Sequence, residues 1–348
     1  MVDNDAHKTR EERGDEVRSF ILDNVSDHPS NIASFAAAHF GMSRQAIHKH
    51  LSKLAERGLI AQTGKTRNRV YGLNASSPFT KTYRLDTKVE EDIVWEQDVS
   101  KFIAPLPANV MGIWQFGFTE MFNNAIDHSG GTSIKLRVSK TAALTKITLA
   151  DDGIGIFRKI QEALGLADER HAVLELAKGK LTTDPAHHSG EGIFFTSRLM
   201  DSFAIISGGV RLQHQFGKPE DWILETDRTS GTTVAMELRN DTTRTSAEVF
   251  SAYTSGDDYG FTKTVVPVRL AQYGSDLLIS RSQAKRLLSR VDLFETVLLD
   301  FEGISEIGQA FADEIFRVFA RQHPKVKLMA LNESDQVKRM ISRAQHAT

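Results

Sequence analysis

Apolar positions in the first part of the chain repeat with a helical period and then switch to alternation. Val17, Phe20, Ile21 and Val25 fall on one stripe, which predicts a helix over 11–25. After a polar turn at 27–30 comes a short helix stopped by Gly41, and Ser43 is placed to cap a longer helix that ends at Gly58. In that longer helix Ile47, Leu51 and Leu54 face inward, leaving Arg44, Gln45, His48, Lys49, Ser52 and Lys53 outward. Residues 59–73 then alternate as a hairpin with 63–68 at its tip.

Residues 74–82 read as a linker, and 89–107 hold a short amphipathic helix ending before Pro105. The next helix, over 110–129, has two unlike faces. Phe118, Met121, Phe122, Ala125 and Ile126 form an apolar side, while Glu120, Asn123, Asn124, Asp127 and His128 form a polar one. Two Asn and an Asp in a helix interior cost propensity, because their short side chains compete for the backbone; something other than helix stability selects them. Strands follow at 132–140 and 146–152, then a helix over 157–177, a polar segment, an apolar helix from 193, and strands at 203–208, 210–216 and 230–238. Residues 239–263 read as a second linker. Beyond them, strands at 264–271, 276–280, 295–303 and 325–332 alternate with helices at 282–292, 309–323 and 334–344, the pattern of a small α/β sheet.

Composition narrows the picture. A chain of 348 residues is long enough for several domains, and a formal net charge of −2 supplies no global field toward nucleic acid or membrane. There is no cysteine, which excludes disulfides and thiolate chemistry. The charged start has no apolar segment of the secretory type, and no stretch approaches the roughly 18 apolar residues of a membrane helix. We expect a cytoplasmic protein with no membrane association.

Local charge departs from the global balance. Between His28 and Ala75 the basic residues are Arg44, Lys49, Lys53, Arg57, Lys65, Arg67 and Arg69, against Glu56 as the single acid. Phosphate backbones select such an imbalance. The helix, glycine turn, helix and hairpin of residues 8–74 resemble bacterial winged-helix regulators. That resemblance implies DNA binding, with Arg44, Gln45, His48 and Lys49 on the recognition helix and Lys65, Arg67 and Arg69 on the wing. The alternative is a module for protein contacts with a solvated basic face.

Four short motifs stand in one order: Glu120-x-x-x-Asn124, Asp151-x-Gly153-x-Gly155, Gly190-x-Gly192, and Gly231-Thr232. A turn carboxylate can accept from an exocyclic amine, glycines let the backbone approach a flat ring, and glycines opening a helix present N–H groups to an anion. The ordered set resembles, over about 110–238, the GHKL ATPases of gyrase, Hsp90, sensor histidine kinases and MutL, and the domain is expected to run over 84–240. The resemblance implies a Bergerat-fold α/β sandwich that binds ATP and Mg2+. Asn124 inherits the metal, Asp151 the adenine amine, Gly153 and Gly155 the ring, Gly190 and Gly192 the phosphates, and Thr232 the adenine end. Asp127 is assigned to the adenine end through water, and a lid is expected over 178–189. Glu120 occupies the place of a general base, which must come within hydrogen-bond reach of its nucleophile. A sensor kinase also needs a phosphoacceptor histidine upstream, and residues 75–110 contain none.

The tail, 262–346, resembles STAS-like domains around residues 300–316. The turn after that strand reads Glu306-Ile307-Gly308-Gln309, without the phosphorylatable serine of anti-sigma antagonists, although Ser305 is close. The expected whole is multidomain α/β and α+β: winged helix, Bergerat ATPase and STAS-like module. It would be a homodimeric regulator coupling ATP binding and slow hydrolysis to DNA, with a protein partner on the tail. A Ser/Thr kinase of the anti-sigma type and a scaffold without turnover are the alternatives.

Overall fold

A computed structural model of the protein describes residues 10–64, 68–74, 76–182, 190–218, 222–255, 260–272 and 277–346. It divides into two compact units, one of Met1–Phe79 with Arg137–Lys146 and Arg239–Thr242, the other of Thr80–Leu136, Ile147–Leu238 and Thr243–Thr348.

In the first unit, α1 (Arg10–Asn24), α2 (Ile32–Phe40) and α3 (Arg44–Glu56) precede an antiparallel pair, β1 (Ile60–Thr63) and β2 (Val70–Leu73). The expected stripes make its core: Val17 and Ile21 of α1, and Val25 just after it, meet Ile32, Ile47, Leu51 and Leu54. Gly41 closes α2 at φ 61, a left-handed conformation that a side chain would resist, and Ser43 Oγ accepts from the Ala46 N–H at 3.2 Å to start α3. The turn between these helices is therefore written in two residues.

The second unit takes in nearly all of β3 (Phe79–Arg84), a helical segment at 91–103 and the helix α4 (Ala108–His128). β4 (Ser133–Lys140) and β5 (Leu144–Asp151) follow, their residues 137–140 and 144–146 being counted in the first unit, then α5 (Ile156–Leu164), α6 (Glu169–Lys178), α7 (Gly192–Leu199), β6 (Ser202–Gln215) and β7 (Trp222–Arg239). The strands form one sheet in the order β3-β4-β5-β7-β6, with β6 and β7 antiparallel. The helix α4 buries Trp114, Phe118 and Phe122 fully, and the Phe122 ring meets Tyr83 of β3.

Several expectations are corrected here. The expected linker at 74–82 gives way to strand from Phe79: Tyr83 is buried edge-on to Phe122, and its hydroxyl donates to Asp98 Oδ2 at 2.7 Å, so β3 has a tertiary reason to form. The helix expected over 157–177 is two, because Gly165 ends α5 at φ 62 and Asp168 caps α6 by accepting from the His171 N–H at 3.0 Å. The strands expected at 203–208 and 210–216 are one, bulged at Gly208. The linker expected at 239–263 contains α8 (Ser246–Tyr253), whose capping box joins Thr245 and Glu248.

The C-terminal part is a parallel sheet of β8 (Lys263–Pro267), β9 (Thr296–Asp300) and β10 (Lys327–Leu331) in that order, with α9 (Arg281–Leu288), a helix at 309–322, and α10 (Asp335–His346). The strand expected at 276–280 reduces to a single parallel bridge, Leu278 to Ile307. Leu299, Phe301, Phe311 and Val337 share a core with Leu174 and Ala177 of α6 and Phe194 and Phe195 of α7. Among the described residues no helix is long and apolar enough to cross a membrane.

Candidate functional site

The polar face of α4 opens on a cavity of about 260 Å³. Glu120, Asn124 and His128 recur every fourth residue, hence on one stripe of the helix, and all three line it. Asp151 enters from the end of β5, Lys159 from α5, Gly190 and Gly192 from the start of α7, and Thr232 from β7. Met121, Leu149, Ile160, Ile205 and Val234 supply apolar wall. Six of the residues singled out by motif (Glu120, Asn124, Asp151, Gly190, Gly192 and Thr232) thus meet around one space.

The Asp151 end is the better ordered. Asp151 Oδ1 accepts from the Gly153 N–H at 2.9 Å and from the Thr232 N–H at 3.1 Å, while Thr232 Oγ1 accepts from the Ile156 N–H at 3.0 Å. Burial raises the Asp151 carboxyl above its ordinary value, and the two backbone bonds oppose that rise. Ser207 Oγ donates to the Gly231 carbonyl at 3.0 Å, which ties β6 to the same turn. A Cβ on Gly231 would fall 2.0 Å from the Asp151 carbonyl oxygen, and one on Gly153 would fall 2.1 Å from the Ser129 carbonyl oxygen. The glycines bring backbone against backbone, and neither Gly153 nor Gly155 lines the cavity itself.

Asp152 does a separate job that its sequence context hid. Its carboxylate accepts from the Thr132 N–H at 2.6 Å, the Ser133 N–H at 3.0 Å, Thr132 Oγ1 at 2.6 Å and Ser133 Oγ at 2.9 Å. These bonds, that from the Thr132 hydroxyl foremost, hold the carboxyl far below the usual range. The first Asp of the pair faces the cavity and the second pins the chain leaving α4.

At the other end the Glu120 carboxylate lies against Gly192, where an added Cβ would come within 1.9 Å of Glu120 Oε2. A carboxylate thus rests beside the first turn of α7, where the helix dipole favours negative charge. Gly190, at φ 73, accepts through its carbonyl from the Leu181 N–H at 3.2 Å. Asp127 is exposed and does not line the cavity; the residue beyond it, His128, does. His128 and Lys159 are additions to the motif residues, and Lys159 Nζ donates to the His128 carbonyl at 2.8 Å. The fourfold spacing from Asn124 was the signal for His128; none marked Lys159.

The donor set bears on the metal. Among the described residues no group of three His, Cys, Asp or Glu could cage an ion. Glu120 and Asn124 offer hard oxygens one helical turn apart on the cavity wall. That set fits Mg2+, which keeps several waters and takes most of its ligands from substrate phosphates.

In the first unit Arg44, Gln45 and Lys49 are exposed on α3, and His48 is half-buried. Arg69 is half-buried with Nη1 donating to the Tyr71 hydroxyl at 3.5 Å. Lys65 and Arg67 lie outside the described residues, as does most of the expected lid, 183–189.

With this geometry in hand, comparison with known proteins adds one finding. Residues 283–338 match the family model described as a STAS-like domain of unknown function (DUF4325). They span most of α9, then β9, the helix at 309–322, β10 and the start of α10, so two of the three strands of the parallel sheet lie in the STAS-like match and β8 precedes it. No curated protein matches the chain.

Proposed function

We propose that the central part of the chain is a GHKL-type ATP-binding domain, and that the protein is a regulator in which ATP binding and slow hydrolysis alter binding of DNA by a winged helix and of a protein partner by the STAS-like domain. The observation carrying this reading is the convergence of Glu120, Asn124, Asp151, Gly190, Gly192 and Thr232 on one cavity with an apolar wall. In this reading Asp151, ordered by Thr232, accepts the adenine amine. Asn124 would hold Mg2+, which would supply charge neutralisation for the phosphates, and the glycines at the start of α7 would offer backbone N–H groups to them. Glu120 draws the proton from the attacking water. The exposed basic face of α3 holds DNA, and a dimer doubles the phosphate contacts that set affinity.

A second reading, transfer of the γ-phosphoryl group to a protein hydroxyl, is favoured by the STAS-like match and by the exposure of Ser305 in the turn after β9. One experiment separates the two. With γ-labelled ATP and Mg2+, released phosphate is expected from a hydrolase and label retained on protein from a kinase. At a hundredfold excess over its Kd, MgATP stabilises the fold by about 2.7 kcal/mol. The parent should show that thermal shift and Asn124→Ala should lose it; equal shifts in both, or none in the parent, would sink the assignment.

A further inference from the structure

Residues 175–182 face two ways. Leu176, Leu181 and Thr182 line the cavity, whereas Glu175, Lys178 and Lys180 bond to the STAS-like part of the same unit. Lys178 is fully buried. Its ammonium donates to Glu175 Oε1 at 2.7 Å, to the Ser289 carbonyl at 2.7 Å and to the Arg286 carbonyl at 3.2 Å, which uses all three of its N–H groups. Arg286 and Ser289 end α9, where the helix dipole favours a cation. The Lys178 carbonyl in turn accepts from Thr264 Oγ1 of β8 at 2.7 Å.

Arg290 completes the grip. It sits at φ 59, with Nη1 3.4 Å from Glu175 Oε2 and Nη2 donating to the Lys180 carbonyl. Lys180 Nζ donates to the Leu293 carbonyl at 3.0 Å and stands 4.8 Å from the centre of the Phe294 ring. Burial pulls the Lys178 ammonium below its ordinary value, and the Glu175 carboxylate beside it opposes that fall. A buried cation whose donors are all used specifies one register of this segment against α9, because any slip would strand buried charge. The Gly192 part of the lining rests on the same support: Phe194 and Phe195, just after Gly192, pack on Phe261 at 4.6 and 5.0 Å, and Phe261 packs on Phe294 at 5.2 Å.

Resting on the nucleotide reading of the cavity, we propose that the STAS-like domain regulates that site: its turn 286–294 holds residues 175–182 in the arrangement that receives the nucleotide, so nucleotide affinity and the docking of this turn are linked. Linkage is reciprocal, so a nucleotide that gains affinity from the docked turn must stabilise the docking by the same factor. Whatever binds the STAS-like domain near this turn then tunes the cavity without touching it.

The test is a titration of the full-length chain with a fluorescent ATP analogue and Mg2+, paired with hydrogen exchange at 286–294. Arg290→Gly removes the guanidinium while suiting the left-handed backbone, so it leaves the fold least disturbed. Lys180→Ala cuts the contacts to Leu293 and Phe294 and serves as the second variant. Val337→Ala opens the same core away from the turn and controls for lost stability. We expect at least about fivefold weaker binding in the first two variants, the lower end of ordinary coupling, with Val337→Ala within about twofold of the parent. In the parent, the analogue should slow exchange at 286–294. Unchanged or tighter binding in both variants, or a loss in Val337→Ala equal to theirs, would overturn the linkage while leaving the nucleotide site standing. No binding by the parent would remove the nucleotide reading and the linkage with it.

Discussion

Adding one methyl at Gly192 should separate the chemistry of the cavity from the stability of the fold. In Gly192→Ala the new Cβ would lie 1.9 Å from Glu120 Oε2 and 2.9 Å from Glu120 Cδ, so the carboxylate must move. Glu120 is a long side chain on a helix surface, and leaving its rotamer costs about 0.5–1.5 kcal/mol. Alanine at the first residue of α7 returns roughly 0.4–1 kcal/mol by restricting the unfolded chain, so the terms nearly cancel. The contrast is Gly153→Ala, whose Cβ would meet the Ser129 carbonyl oxygen at 2.1 Å and its carbon at 2.7 Å. There the obstacle is backbone that accepts from the Ile154 N–H at 3.1 Å, and overpacking of about 1–3 kcal/mol adds to the loss of that bond. Thermal unfolding should therefore place Gly192→Ala within about 1 kcal/mol of the parent and Gly153→Ala well below it. Phosphate release from MgATP should fall at least about tenfold in Gly192→Ala, the scale of a displaced general base. Parent-like turnover in Gly192→Ala would refute the role of Glu120 at this position; a large loss of stability there would refute the reading of its environment.

Three further outcomes are expected. Because the Asp151 carboxyl is raised by burial and is the stronger acceptor when ionised, nucleotide affinity should be intact above its raised pKa and fall as pH drops through it, earlier than for an ordinary aspartate; titration against pH would show this, with Asp151→Asn weak and lacking that step. Ser43→Ala should cost about 1 kcal/mol in denaturant unfolding of the first unit, since it frees the Ala46 N–H, and no loss would contradict the cap. If α3 holds DNA phosphates, replacing Arg44 and Lys49 by Glu should weaken DNA retention and flatten its salt dependence by about 0.9 per contact removed, and an unchanged slope would point to protein contacts instead.

Periodicity carries far where an element is defined by neighbours in sequence. The stripe of α1, the glycine stop after α2, the serine cap of α3 and the two faces of α4 are local patterns, and each appears in the structure where the spacing puts it. Short-range signals weigh less where packing overrides them. The strand at 79–84 exists because Tyr83 reaches Phe122 and Asp98, and the helix at 246–253 because Phe250 and Tyr253 find aromatic partners in Phe195 and Phe194. Neither partner is near in sequence, so polar composition alone read both as linker.

The same division holds for the cavity. A fourfold repeat along α4 is enough to place Glu120, Asn124 and His128 on one wall, because helical geometry is a property of the segment itself. Which further side chains close the space depends on loops and strands meeting at ångström distances, and on this Lys159 entered while Asp127 stayed outside. Asp151 and Asp152 are adjacent and chemically identical; only the fold gives one to the cavity and the other to the turn at Thr132. The deepest such case is Lys178. The sequence places it at the start of the polar segment expected as a lid, and it is the packing of α9 and β8 around it that makes it a buried pin between the cavity wall and the STAS-like domain.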